Sequence, residues 1–338
     1  MKRKIILTIT LALLIIIFSV GIGSVFVPPD DIIMIIFNKL FGGNLPDNFN
    51  QNNISIIWEL RLPRVLLAFF TGAALSSCGA VTQSVLKNPL ASPFTLGVSS
   101  GASLGAAIVL ASGISISILR NFTLPAVGLI FGVIAVFLAV KLASKLDKNL
   151  QSATIILTGM VFSLFISGFV TIIAGLSKEK YEIIMRWQTG TFSAKGWDYV
   201  KILFPVLIIG IFIFIYFSRE LDILTFGEEQ ASAMGVETKR IKWLLLIVTA
   251  VLTGVSVSFA GIIGFIDLIA PHVARKLFSS KHNVVIPISA LIGGMLMTVA
   301  DLLSRTLTSP KELPVSAVTA LIGAPFFVFI FFKRRKSR

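Results

Sequence analysis

One cysteine, two histidines and three tyrosines in 338 residues leave few groups with which to do chemistry. Cys78 alone excludes an intramolecular disulfide and any multi-cysteine metal site, and in its apolar surroundings it reads as a small packing residue. His272 and His282 cannot together supply a three-ligand zinc site without carboxylates, and no H-E-x-x-H pair occurs. No G-x-x-x-x-G-K-[ST] loop is present to cradle phosphates, so the chain cannot hydrolyse nucleotide by that route. No nucleophile stands beside a base in the sequence, and Ser76-Ser77 and Ser99-Ser100 read as small, hydrogen-bonding helix-contact residues. Charge is scarce as well. Asp, Glu, Lys and Arg make up 14% of the chain, against about one-quarter in a soluble domain, too little to clothe a water-facing surface. A soluble enzyme is therefore excluded on composition.

Apolar length is abundant. Hydrophobic residues are 55% of the chain and the mean hydropathy is +0.93. A spanning helix needs about 20 mostly apolar residues, and such stretches fall at 5–27, 64–84, 94–112, 122–143, 152–175, 199–217, 241–261, 262–278, 284–304 and 314–332. The expected fold is all-α, a single transmembrane domain over 1–338 with about ten transmembrane helices. The first stretch follows Lys2-Arg3-Lys4 and lacks an A-x-A cleavage pattern, so it reads as a retained helix with its amino end in the cytoplasm. The run from Trp243 to Ala270 is nearly continuous, with Gly261 and Gly264 as breaks and Pro271 beyond them; one tilted span is the alternative to two. Pro28, Pro29 and the stretch Asn48 to Asn53 form an external loop.

The formal charge of +14 would suit nucleic acid if it stood alone. Its distribution points to a bilayer instead. With both termini inside, the inner segments 1–4, 85–93, 141–151, 218–242, 275–282 and 333–338 hold 19 of the 30 Lys and Arg. Basic residues favour the cytoplasmic side, so the count supports this topology. Lys333-Arg334-Arg335-Lys336 reads as a juxtamembrane anchor to lipid. No segment between spans is large enough to build its own core, which is difficult below about 40 residues.

The densest pattern begins at Arg61-Leu62-Pro63-Arg64. It continues through Gly72-Ala73-Ala74-Leu75, Gln83, Asn88-Pro89-Leu90-Ala91 and Pro93 to Gly97-Val98-Ser99-Ser100-Gly101-Ala102-Ser103-Leu104-Gly105. Gly97, Gly101 and Gly105 recur every four residues and leave a helix face on which a neighbour can approach closely. Asn88-Pro89 and Ser92-Pro93 break the chain into a tight turn. Later come Gly261-Ile262-Ile263-Gly264-Phe265, Ala270-Pro271-His272, Ala300-Asp301, Arg305, Glu312-Leu313-Pro314 and Gly323-Ala324-Pro325-Phe326-Phe327. In order and spacing this series resembles the iron-siderophore, haem and vitamin B12 permease family of bacterial ABC importers, over nearly the full chain.

The resemblance implies a ten-helix subunit of the bacterial cytoplasmic membrane, paired with a second permease chain, identical or related, around a path at their interface. It also implies two cytoplasmic ATPase chains, which use the ATP and magnesium, and an extracytoplasmic substrate-binding protein. This chain itself would bind no cofactor or metal. The segment from Asp222 to Gly235, within 218–242, matches the family's coupling helices, and Glu228, Glu229, Ala231, Met234 and Gly235 are the expected ATPase contacts. An ordinary amphipathic interfacial segment is the alternative. Arg61, Arg64 and Arg305 match positions that present cations to acidic residues of the binding protein; arginines snorkelling to headgroups are the alternative. Leu150 to Thr154 aligns with the inner gate, where Gln151, Ser152 and Ala153 are expected to let helices close and reopen.

Two departures stand out. Ser92 occupies a position where the family commonly carries Asp, and Asp267 one where Gly is common. A carboxylate at membrane depth is expensive and needs a partner. Asp267 and Asp301 therefore point either to proton coupling, and so to an ion-driven secondary transporter, or to paired carboxylates with Arg275 or Arg305; Asp301 and Arg305 stand i,i+4. A weak echo repeats Thr71-Gly72, Ser76 and Gly79 as Thr253-Gly254, Ser258 and Gly261. The reading preferred here is an ATP-driven permease subunit for a bulky metal chelate, its path lined by small or weakly polar residues, since tight ligation would trap the cargo. A non-transporting membrane scaffold is a third possibility.

Overall fold

The computed structural model describes residues 1–23, 27–42, 51–147 and 150–335. Asn48 to Asn50 of the proposed external loop, and the side chains of Lys333-Arg334-Arg335-Lys336, lie outside the described residues. The helices, in chain order, are α1 Lys2–Gly21, α2 Pro29–Phe41, α3 Gln51–Ser55, α4 Leu62–Val85, α5 Val98–Ser112, α6 Thr123–Leu146, α7 Ser152–Leu176 and α8 Tyr181–Gln188. They continue with α9 Trp197–Tyr216, α10 Ser218–Leu224, α11 Glu228–Ala233, α12 Thr238–Ala260, α13 Ile266–Leu277, α14 His282–Thr306 and α15 Val315–Arg335. There is no strand among the described residues, as expected where every backbone polar group must be satisfied without water.

Each of the ten apolar stretches coincides with a helix. Seven of the helical runs are long and apolar enough to cross a membrane: α1, the continuous helix Asn52–Val85, α6, α7, α9, α12 and α14. Val98–Ser112 and Val315–Val328 are shorter apolar helices. The stretch 262–278 yields only the 12-residue α13, too short to span. Two backbone features explain this. Gly261 turns with φ 80° beneath the carbonyl of Trp187, where a Cβ would come within 2.6 Å of that oxygen. Phe265 is then held at φ 72°, a left-handed conformation that a bulky residue rarely adopts. Its ring occupies the space left by Gly323 on α15. The chain thus re-enters the bundle before α13 starts. Asp267 lies in its first turn and Arg275 and Lys276 in its last, the signs that the helix dipole favours at each end.

Helix α4 is the axis of the molecule, buried along most of its length and packed against α14, α13, α12 and α9. Its small residues make that possible. Gly72 faces the Gly293 carbonyl of α14, and Gly79 faces the Asp267 carbonyl of α13; a methyl group at either would overlap backbone. The hydroxyls of Ser76, Ser77, Thr82 and Ser84 donate to carbonyls one turn earlier in the same helix, so polar atoms are satisfied without separating the helices. Cys78 is fully buried among them. Of the glycines spaced by four, Gly101 and Gly105 meet the α6 backbone at Phe131 and Val127, while Gly97 lies outside the helix as the cap of α5 at φ 94° and faces α7. The residues of the sequence echo sit on α4 and α12, with Gly261 capping α12.

Candidate functional site

Polar and charged side chains gather at opposite ends of α4, some 36 Å apart by helix rise. At its N-terminal end, a π-helical turn over Ile56–Arg61 leads into α4. Arg61, Arg64 and Arg305, separate in sequence, converge there. Arg64 reaches Asp301 Oδ1 at 2.8 Å and Glu312 Oε1 at 2.7 Å. Arg305 Nε lies 3.5 Å from Asp301 Oδ2, and its Nη1 donates to the carbonyl of Ile22 at 2.7 Å, with Nη2 donating to that of Ser19. Arg61 donates to the carbonyls of Val20 and Gly21 at 3.2 and 3.0 Å. Two of the arginines therefore cap the C-terminal carbonyls of α1, where a helix end is short of donors. All three guanidinium groups are largely buried; Arg64 retains 12% and Arg305 8% of side-chain exposure. They floor a cavity of about 580 Å³ whose rim carries Lys195, Glu59 and Glu312. Lys195 lies 4.6 Å from the Tyr199 ring centroid, and burial lowers its pKa from the ordinary lysine value.

Asp301 thus has the partner expected at i,i+4 and a stronger one, Arg64, 237 residues away. Asp267 does not pair with Arg275. Its Oδ2 accepts from Ser92 Oγ, and its backbone carbonyl accepts from Gln83 Nε2 at 3.3 Å. Arg275 instead donates to Gln83 Oε1 at 2.5 Å and to the Ala80 carbonyl at 3.3 Å. The two departures from the family pattern, at 92 and 267, are thus bonded to one another.

Beyond the C-terminus of α4 lie α10 and α11, joined through Gly227 at φ 132°. Of the expected ATPase contacts, Glu229, Met234 and Gly235 are exposed, whereas Ala231 is fully buried in the apolar core. Glu228 turns inward, 2.5 Å from Lys242 Nζ and 4.0 Å from Lys87 Nζ. Phe226, 69% exposed, projects beside them and was not singled out from the sequence. A cleft of about 860 Å³ is walled by Lys87, Gln151, Phe226, Glu228, Glu229 and Lys239. It joins the expected coupling segment to the expected gate turn. There Gln151 caps α7 with its N–H on Asp147 Oδ2 at 2.8 Å, Ala153 is exposed, and Ser152 Oγ is buried without a hydrogen-bond partner.

Sequence reasoning missed a second tie. His282 Nδ1 lies 2.5 Å from Asp222 Oδ1, and its Nε2 lies 2.5 Å from Ser84 Oγ. The order serine, imidazole, carboxylate is that of a hydrolytic triad. Yet Ser84 is buried in the last turn of a helix and also bonds the Ala80 carbonyl. The trio clasps α10 to the ends of α4 and α14. No group of three His, Cys, Asp or Glu side chains among the described residues could hold a metal ion.

Comparison with known proteins gives a consistent likeness. Residues 11–333 match the FecCD transport family. An uncharacterised ABC transporter permease of Bacillus subtilis, YvrB, is 38% identical over 95% of this chain and 91% of its own. The Fe(3+)-citrate import system permease YfmE of the same organism is 33% identical over 99% and 98%. Among solved structures, an inward-facing metal-chelate type ABC transporter superposes with a TM-score of 0.86 at 28% identity, covering 98% of this chain and all of the other.

Proposed function

Because the chain belongs to the FecCD transport family, a family of membrane permease subunits of ABC importers rather than of enzymes, we propose that it carries an iron chelate such as ferric citrate or a ferric siderophore, or a related complex such as haem or cobalamin, into a bacterial cell. In this reading two permease chains, taken as identical copies, enclose the path, and ATP with magnesium is used by two separate ATPase chains. The Lys242 end of the bundle faces the cytoplasm with both termini. The observation that carries the reading is the exposed α10–α11 segment, keyed to the bundle through Glu228 and Asp222. An ATPase cleft that grips Glu229, Met234 and Phe226 would pull on two buried ties.

At the opposite end, the cavity floored by Arg61, Arg64 and Arg305 receives the substrate-binding protein. The buried arginines set the positive potential and shape of that floor, and the rim makes the contacts. Such charge complementarity sets register and speeds encounter more than it adds affinity. Ion coupling through Asp301 is disfavoured because both of its oxygens are engaged by Arg64 and Arg305. The test is uptake of labelled ferric citrate, ferric siderophore, haem and cobalamin by proteoliposomes holding the assembled complex. Uptake that needs ATP and ignores a protonophore is the expected result. Uptake that survives removal of the ATPase chains but stops with a protonophore would overturn the reading.

A further inference from the structure

Lys242 is the only lysine among the described residues that is fully buried, at 1% exposure. It sits in the first turns of α12, between two elements that are far apart in sequence. Its Nζ is 2.5 Å from Glu228 Oε1, on the first residue of α11, and donates to the Leu150 carbonyl at 3.1 Å. Leu150 immediately precedes Gln151, Ser152 and Ala153. Its own side chain is buried and its φ is 52°, a left-handed conformation that a leucine holds only where the surroundings impose it. Leu150, Ala231, Val236, Ile241 and Leu245 belong to one buried apolar cluster, and the Lys242 side chain keeps 1% exposure, while Glu228 also lines the open cleft.

A buried ammonium that loses its carboxylate is costly, whereas its strongest acceptor here is carried by a short exposed helix. Displacement of α11 therefore obliges Lys242 either to follow Glu228 and release the Leu150 carbonyl, or to stay with that carbonyl and only the weaker attraction of Asp147. Releasing that carbonyl removes the one polar contact shown to hold Leu150 against α12. We propose that Lys242 is the positioning residue that converts movement of α11 into movement of the 150–153 turn. This rests on the reading of α10–α11 as the ATPase-coupling segment, and goes beyond it by naming the link and its direction.

The test uses the full complex, permease with cysteine-free ATPase chains, and a C78A background that removes this chain's one native thiol. Spin labels on Cys replacing Ile118, which is 93% exposed at the far end, and Cys replacing either Ser232 or Ala153 report two distances. In the unsubstituted complex both distances change between nucleotide-free and vanadate-trapped states. With K242M, the 118–232 change persists while the 118–153 change falls to about one-fifth or less, a loss of coupling between two elements that still respond separately. E228Q, which keeps the lysine, and K242M/E228Q, which removes both charges together, give the same split and guard against a misfolded single variant. If K242M moves both labels as before, or silences both, the transmission role is wrong. If neither label responds in the unsubstituted complex, the coupling assignment fails first and this inference with it.

Discussion

Asp301 can be tested as the anchor of the arginine cluster. Its carboxylate is 1% exposed and lies against Arg64 at 2.8 Å and Arg305 at 3.5 Å. At an effective dielectric of about 20, two unit charges about 4 Å apart attract by roughly 4 kcal/mol, and removing one partner of a buried pair typically costs about 3–5 kcal/mol. Asp301→Ala should fall somewhat below that range. Arg64 keeps Glu312, whose side chain is 34% exposed, and Arg305 keeps the carbonyls of Ile22 and Ser19. We expect a loss of about 2–4 kcal/mol, seen as a fall of roughly 5–10 °C in the unfolding midpoint of the detergent-solubilised chain. The double substitution R64M/D301L should recover most of that loss, because replacing a buried pair with apolar groups of similar volume is often close to neutral. Nearly identical melting of D301A and the unsubstituted protein would refute the reasoning. So would a double variant that melts well below D301A.

Three further outcomes follow from other parts of the molecule. Asp267→Gly should cost about 1–3 kcal/mol by taking the acceptor from the Ser92 hydroxyl proton, while Ser92 Oγ still accepts from Phe94 N–H; S92D alone should be worse because it sets two carboxylates together, S92D/D267G should melt above either single variant, and detergent melting curves for all three decide it. Gly79→Ala should lower the yield of monodisperse protein and its melting point, at a cost of about 1–3 kcal/mol for overpacking against α13, and size-exclusion profiles would show otherwise if the contact were slack. Burial lowers the pKa of Lys195, so its charge is present at low pH and lost as pH rises through that lowered value, earlier than for an exposed lysine. Binding-protein association should therefore weaken with rising pH, and K195R, whose charge persists, should flatten the profile in surface-binding kinetics; an unchanged profile would remove Lys195 from the docking rim.

Much of the fold was legible because hydropathy is local. Ten apolar stretches form helices, and Gly261 and Gly264 fall in the break between α12 and α13. What hydropathy could not reveal was that 262–278 crosses only part of the bundle, since that depends on Gly261 lying under Trp187 and Phe265 lying against Gly323. Similarly, α5 begins at Val98 rather than near 94 because Ser92 caps a separate 3₁₀ turn over Pro93–Leu96. The sites divide in the same way. Asp301 with Arg305 could be read from an i,i+4 spacing, but Arg64 with Asp301, Ser92 with Asp267 and Lys242 with Leu150 are separated by 237, 175 and 92 residues. Only packing brings them together. Ala231 illustrates the limit from the other side: its motif position suggests contact with a partner, while its face of α11 is buried in the core.

The two ends of α4 use different cations, and this has a mechanical consequence. Arginine is a flat fork with donors in fixed directions, so Arg61, Arg64 and Arg305 act as rivets whose several bonds must break together before their helices can shift. Lysine is a single charge on a pliant stem, with donors that can rotate toward a new acceptor. Lys242 can therefore swing with Glu228 and keep its charge compensated, giving up only the Leu150 carbonyl. A lever built this way is pinned at one end and pliant at the other, so the seam between α1, α4 and α14 is the fixed reference against which the Lys242 end yields.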